Sequence, residues 1–176
     1  MKIDIVETGF LKENCYILKD EKNNECLVID PGDDYSKIKE IIGNYKVLNV
    51  LITHNHFDHI GALEEILNDY KVEVLNKENL SEIEYKIGNF TFKVIFTPGH
   101  TQDSISFYFE KDKVLFTGDF LFKDTIGRTD LPTGDHQEMM DSIDNIKNYS
   151  KDITIYPGHG PVSTLEIEFK NNIYLR

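Results

Sequence analysis

An α+β fold is predicted, with two layers of mostly antiparallel sheet flanked by helices. Three observations predict it. Short apolar runs are joined by tight polar turns, which read as hairpins, and other stretches space their apolar residues as helices do. No repeat, linker or low-complexity run divides the chain. Sheets with one apolar face and helices with one apolar stripe bury most when sheet stacks on sheet and helices cover the outside. The 176 residues, 40% hydrophobic and 28% charged, suit one sizeable core, so residues 1–176 are read as a single domain.

In order, Ile3 to Glu7 alternates like an edge strand, and Cys15–Leu18 with Cys26–Ile29 forms a hairpin across Lys22-Asn23-Asn24. The second arm stops at Asp30-Pro31-Gly32. Ile38, Ile41 and Ile42 mark one face of a short helix closed by Gly43 and Asn44. Val47 to Ile52 is a buried strand, followed by a helix over Ala62 to Tyr70 and a strand over Lys71 to Leu75. Two further hairpins join Ile83–Ile87 to Phe90–Phe96, and Ser104–Phe109 to Val114–Thr117. Asp135 with Glu138 opens a helix through Tyr149, Ile153–Tyr156 is a last strand, and Ser163 with Glu166 opens the terminal helix.

Cys15 and Cys26 lie on successive strands, and the intervening turn sets Cys15 opposite a residue near Asp30. No disulfide is expected, and both thiols read as core. The net charge of -12 disfavours nucleic acid as a partner. No apolar stretch approaches a membrane span, and Met1 to Glu7 lacks the apolar core of a signal peptide. A cytoplasmic protein with a small-molecule substrate is expected.

The chemistry concentrates on His54-Asn55-His56-Phe57-Asp58-His59, which holds three of the 6 histidines. In extended chain, residues two apart share a side, so His54 and His56 converge on one point, while Asp58 and His59 are re-aimed as the chain curls into a helix. Three more strand ends carry ligand residue types beside glycine: Pro98-Gly99-His100, Gly118-Asp119 and Pro157-Gly158-His159. His136, at a helix start, reads as a surface residue. Asp30 reads either as a turn aspartate or as support behind the ligands.

With these residues in this order, the chain resembles metallo-β-lactamase-fold hydrolases. Their H-x-H-x-D-H motif matches His54, His56, Asp58 and His59, and their later ligands match His100, Asp119 and His159. The resemblance implies a four-layered αββα sandwich of two mixed, mostly antiparallel sheets with outer helices, and two divalent ions at one edge. His54, His56 and His100 would hold the first ion, Asp58, His59 and His159 the second, and Asp119 would bridge. All seven are nitrogen or oxygen donors, which suits zinc and also admits iron or manganese.

Gly118–Phe122 and Ile126–Pro132 resemble the glyoxalase II-like branch and its short bacterial forms. That resemblance implies hydrolysis of thioesters such as hydroxyacylglutathione by a metal-bound hydroxide, with Asp58 as the catalytic residue that orients it. Arg128 would bind a substrate carboxylate, or else pair with Asp130. The chain ends at Arg176, without the C-terminal helical domain that serves glutathione in full-length glyoxalase II, which leaves the thiol open. Two other readings stand: a persulfide dioxygenase with one iron on His54, His100 and Asp119, and a non-catalytic zinc-stabilised binding module.

Overall fold

The computed structural model describes residues 1–176. β1 (Lys2–Thr8) and β2 (Glu13–Asp20) pair antiparallel, and β2 pairs with β3 (Glu25–Ile29) across the expected turn. Tyr16 faces Ile29 and Lys19 faces Cys26 in this register, which separates the two buried cysteines as expected. α1 (Tyr35–Ile42) crosses to β4 (Lys46–Leu51), which lies parallel to β3. α2 (Phe57–Ile60) and α3 (Leu63–Tyr70) then cross to β5 (Glu73–Leu75), parallel to β4. These strands form a five-stranded sheet in the order β1-β2-β3-β4-β5.

The second sheet is built from β6 (Glu84–Ile87), β7 (Phe90–Phe96), β8 (Ile105–Phe109) and β9 (Val114–Gly118), each antiparallel to the next. A small hairpin, β10 (Leu121–Phe122) with β11 (Thr125–Ile126), and α4 (His136–Ile146) carry the chain over to β12 (Thr154–Pro157), which joins β9 in parallel. β13 (Ser163–Thr164) closes the edge, giving the order β13-β12-β9-β8-β7-β6, and α5 (Leu165–Asn171) ends the chain.

Strand alternation divides the apolar side chains among three cores, and three cores make four layers. Tyr16, Leu18, Leu27, Ile29 and Leu51 face Phe92, Phe107, Phe109 and Phe116 between the sheets. The alternate residues Cys15, Ile17, Cys26 and Val28 meet Ile38, Ile42 and Ile66 of the helices on one outer face. Leu115 and Ile155 meet Met139, Ile143 and Leu165 on the other. The αββα sandwich with mixed, mostly antiparallel sheets is therefore as expected. No helix is long and apolar enough to cross a membrane.

Several boundaries differ from the sequence expectation. Thr164, not Ser163, caps α5 by accepting from the Ile167 N–H at 3.2 Å, while the Ser163 hydroxyl is drawn inward to the buried Glu168. α4 stops at Ile146 because Asn148 and Tyr149 bond three residues back, tightening the last turn. Ile41 is 38% exposed, and only Ile38 and Ile42 of its helix face are buried.

Candidate metal centre

Four strand ends and the helical turn after one of them meet at one edge of the sandwich, and the structure brings all seven expected ligand residues there. His54 and His56 follow β4, and Asp58 and His59 lie in the single turn of α2. His100 follows β7, Asp119 follows β9 and His159 follows β12. Gly118 makes the approach of the two sheets possible. Its φ is +49°, and a Cβ there would strike the Thr53 side chain.

Four imidazoles have Nδ1 occupied from outside, which assigns the tautomer and leaves Nε2 facing inward. His59 Nδ1 donates to Asp30 Oδ2 at 3.0 Å, His100 Nδ1 to the Arg128 carbonyl at 2.7 Å, and His159 Nδ1 to the Leu11 carbonyl at 3.2 Å. The Thr53 hydroxyl donates to Asp30 at 2.6 Å and so accepts from His54 Nδ1 at 3.1 Å. His56 is reversed: its Nδ1 lies 3.1 Å from His54 Nε2 and 3.0 Å from His100 Nε2. Ligands ~2.1 Å from a tetrahedral ion stand ~3.4 Å apart, close to these separations.

Across from them, His159 Nε2 is 3.3 Å from Asp58 Oδ2, and His59 Nε2 is 3.3 Å from Asp119 Oδ1. Asp119 Oδ2 reaches His100 Nε2 at 3.5 Å and His159 Nε2 at 3.7 Å, so one carboxylate touches both groups. His59 Nε2 and Asp119 Oδ1 are buried without a hydrogen-bond partner. Orphaned polar atoms of this kind cost about 1–3 kcal/mol each unless something bonds them, and a cation between them would. His54/His56/His100 and Asp58/His59/His159 are each compact enough to hold an ion.

The electrostatics agree. Burial, and then the imidazoles of His59 and His100, push the His54 pKa well down, keeping it a neutral donor. Burial opposes charge on His59, but the carboxylates of Asp119 and Asp30 outweigh it and raise its pKa. That paired carboxylate charge is what a divalent ion would neutralise in place of a proton.

Asp30 is resolved by its contacts. At φ +47° it leaves β3 in a strained left-handed conformation, accepts from the Thr53 N–H at 2.8 Å, and holds both Thr53 and His59. It stands behind the expected ligands, bonding His59 directly and His54 through Thr53, and the sequence alone offers it no partner. The sequence reading also misses Thr53, Asp103 and Glu13. Asp103 Oδ2 accepts from both the backbone N–H and the side-chain amide of Asn55, at 3.0 and 2.7 Å, tying the His54–His56 turn to the turn after His100. Glu13 is buried beside His59 at 3.8 Å, and burial raises its pKa well up. No spacing in the chain announces any of the three.

Leu11, Phe57, Phe122 and Leu131 wall a cleft of about 500 Å³ over these ligands, with Arg128 at its rim. Arg128 grips Asp130 through two bonds of 2.7 Å and holds that carboxyl down at about 2. His136 is exposed and away from the cleft, as expected.

The family model described as Metallo-beta-lactamase superfamily matches residues 8–82 and 80–159. Among curated proteins, the chain is 32% identical to hydroxyacylglutathione hydrolase GloC of Haemophilus influenzae, over 99% of this chain and 98% of that one. Among solved structures, it superposes on the BLEG-1 B3 metallo-beta-lactamase with a TM-score of 0.93 at 31% identity, covering 99% of both chains. It superposes on TTHA1623 in a di-iron-bound form with a TM-score of 0.88 at 27% identity, covering 98% of this chain and 100% of that one. With its fold, its strand-end histidines and aspartates and these full-length similarities in agreement, the chain belongs to the metallo-β-lactamase superfamily of metal-dependent hydrolases.

Proposed function

We propose that the protein is a binuclear hydrolase of the glyoxalase II-like type that cleaves thioesters of small, carboxylate-bearing thiols. The observation that carries this reading is the convergence of His54/His56/His100 and Asp58/His59/His159 on the single carboxylate of Asp119. Similarity to GloC along the whole chain supports the substrate class, and the di-iron-bound neighbour supports two ions. Zinc is the proposed metal, and iron or manganese would suit the same donors. When bound, the ions supply a Lewis acid and lower the pKa of water toward neutrality.

The chain's own groups do the positioning. Asp58, on the cleft wall beside His159, accepts a hydrogen bond from the attacking water and points its oxygen at the acyl carbon. Hydrolysis adds one water across the C–S bond: the acyl carbon gains the oxygen, and the sulfur leaves with the bonding pair and one proton. The remaining proton passes by Asp58 to solvent. Arg128, exposed and paired only with Asp130, can exchange that partner for a substrate carboxylate at small cost.

Metal content measured alongside hydrolysis of S-lactoylglutathione tests the reading. Two ions per chain with turnover support it. One iron with oxygen consumed on glutathione persulfide replaces it with the dioxygenase, and no turnover on any thioester, lactone or phosphoester leaves a zinc-stabilised binding module.

Two variants probe the parts. Arg128→Ala is expected to raise KM about tenfold with kcat nearly constant, the loss of one charge-assisted contact; an unchanged KM on the best thioester contradicts the binding role. Asp103→Ala is expected to weaken zinc binding at His54/His56/His100 about 10- to 100-fold, as loss of outer support does, while Asp58/His59/His159 keeps its affinity. Competition with a chromophoric chelator separates the two sets, and equal affinities in both would rule out the clamp.

A further inference from the structure

Beside the main cleft lies a side chamber of about 210 Å³ that the chemistry above leaves without a role. Leu11, Phe57 and Asp58 line both spaces, so the chamber adjoins the main cleft across these three residues. Phe10, 82% exposed, and Phe57, 65% exposed, stand at its mouth, and they are the only phenylalanines among the exposed large hydrophobic side chains. Two aromatic rings left in water around one opening recover their solvation cost when an apolar group enters.

The loop that presents Phe10 is fixed to the site. Gly9 and Lys12 both adopt positive φ, at 61° and 57°, which folds the β1–β2 connection tightly. The Gly9 N–H donates to Asp34 at 3.2 Å, and the Leu11 carbonyl accepts a hydrogen bond from His159 Nδ1 at 3.2 Å. Asp58 lines both spaces; beyond it the only charged side chain on the chamber wall is the acidic Asp33, whereas the main cleft carries Arg128 as well as Asp119. An anion is therefore favoured toward one arm of the site and repelled from the other.

We propose that the chamber bounded by Phe10, Phe57 and Asp33 is the acyl subsite, and that it takes an uncharged aliphatic acyl chain of about six carbons while the carboxylate of the thiol portion lies toward Arg128. The assignment rests on the thioesterase reading. The size fits, since a cavity of about 150 Å³ accepts a six-carbon ring.

The test uses glutathione thioesters of acetate, butyrate, hexanoate and succinate, with calorimetric binding of S-ethyl-, S-butyl- and S-hexylglutathione as a readout independent of hydrolysis. We expect kcat/KM to rise about two- to fourfold per added methylene, through KM, the upper figure matching ~0.8 kcal/mol per buried methylene. The succinyl ester should fall about fivefold below the butyryl ester of equal carbon count, matching ~1 kcal/mol of unit-charge repulsion in water. Phe10→Ala should flatten the chain-length slope, and Ile173→Ala, an exposed residue elsewhere, should retain it. Thioether affinity that climbs with chain length and drops in Phe10→Ala, without hydrolysis of any ester, removes the hydrolase reading and keeps the subsite. Hydrolysis with no dependence on acyl length, or a slope that survives Phe10→Ala, overturns the subsite and keeps the hydrolase. Neither hydrolysis nor thioether binding overturns both.

Discussion

Asp119→Ala is expected to lower kcat/KM on thioesters about 10³-fold or more and to leave at most one ion per chain after dialysis. The carboxylate stands within 3.3 Å of His59, 3.5 Å of His100 and 3.7 Å of His159, so it reaches both ligand sets. Its buried Oδ1 has no hydrogen-bond partner, and neither does the His59 Nε2 opposite. Removing the carboxylate leaves several imidazoles facing one another with less negative charge to hold cations among them, and without the ions the pKa of water returns to its high bulk value. Elemental analysis and steady-state kinetics check the outcome, with circular dichroism to establish that the variant folds. Two retained ions with wild-type kcat would remove Asp119 from the centre.

A methyl group added at Gly158 is expected to damage the same site from the backbone side. A Cβ there would collide with Asp119 Oδ1 and stand 2.6 Å from His59 Cε1 and 3.1 Å from the Gly118 carbonyl carbon. Gly158 also bonds Gly118 and accepts from the Asn14 N–H at 2.8 Å, so it cannot retreat without loosening both sheets. Overpacking of this kind costs about 1–3 kcal/mol, which for a chain of this size lowers Tm by roughly 2–12 °C. Zinc content should fall with it, because the methyl occupies space between two ligands. Gly160→Ala is the control, since a Cβ there meets nothing within 4 Å, although its φ of +75° adds backbone strain of its own. A Gly158→Ala protein that melts with the wild type and keeps its metal would show that the ligands have room to move.

Much of this was legible in the sequence because it is local. The period of two in Cys15 to Leu18 and Cys26 to Ile29 fixed which side chains face the other sheet, and the turn length set the cysteines out of register. His54 and His56 share a side for the same reason, and the Asp135 cap of α4 accepts from the Glu138 N–H as its spacing requires. Helix ends were less legible, since a final turn can tighten and a cap can move by one residue at little cost.

The sequence by itself determined the layers, the strand ends that carry ligand residue types and, through its motif, the superfamily. Only the tertiary structure decided what those ligands rest on. Asp30 grips Thr53 and His59 across 23 and 29 residues of chain, and Asp103 holds Asn55 across 48. The side chamber likewise needs Phe10 and Phe57, from separate elements, at one mouth. Periodicity records how each segment faces its own sheet or helix, whereas partners far apart in the chain meet through the crossings between elements, which no local spacing encodes.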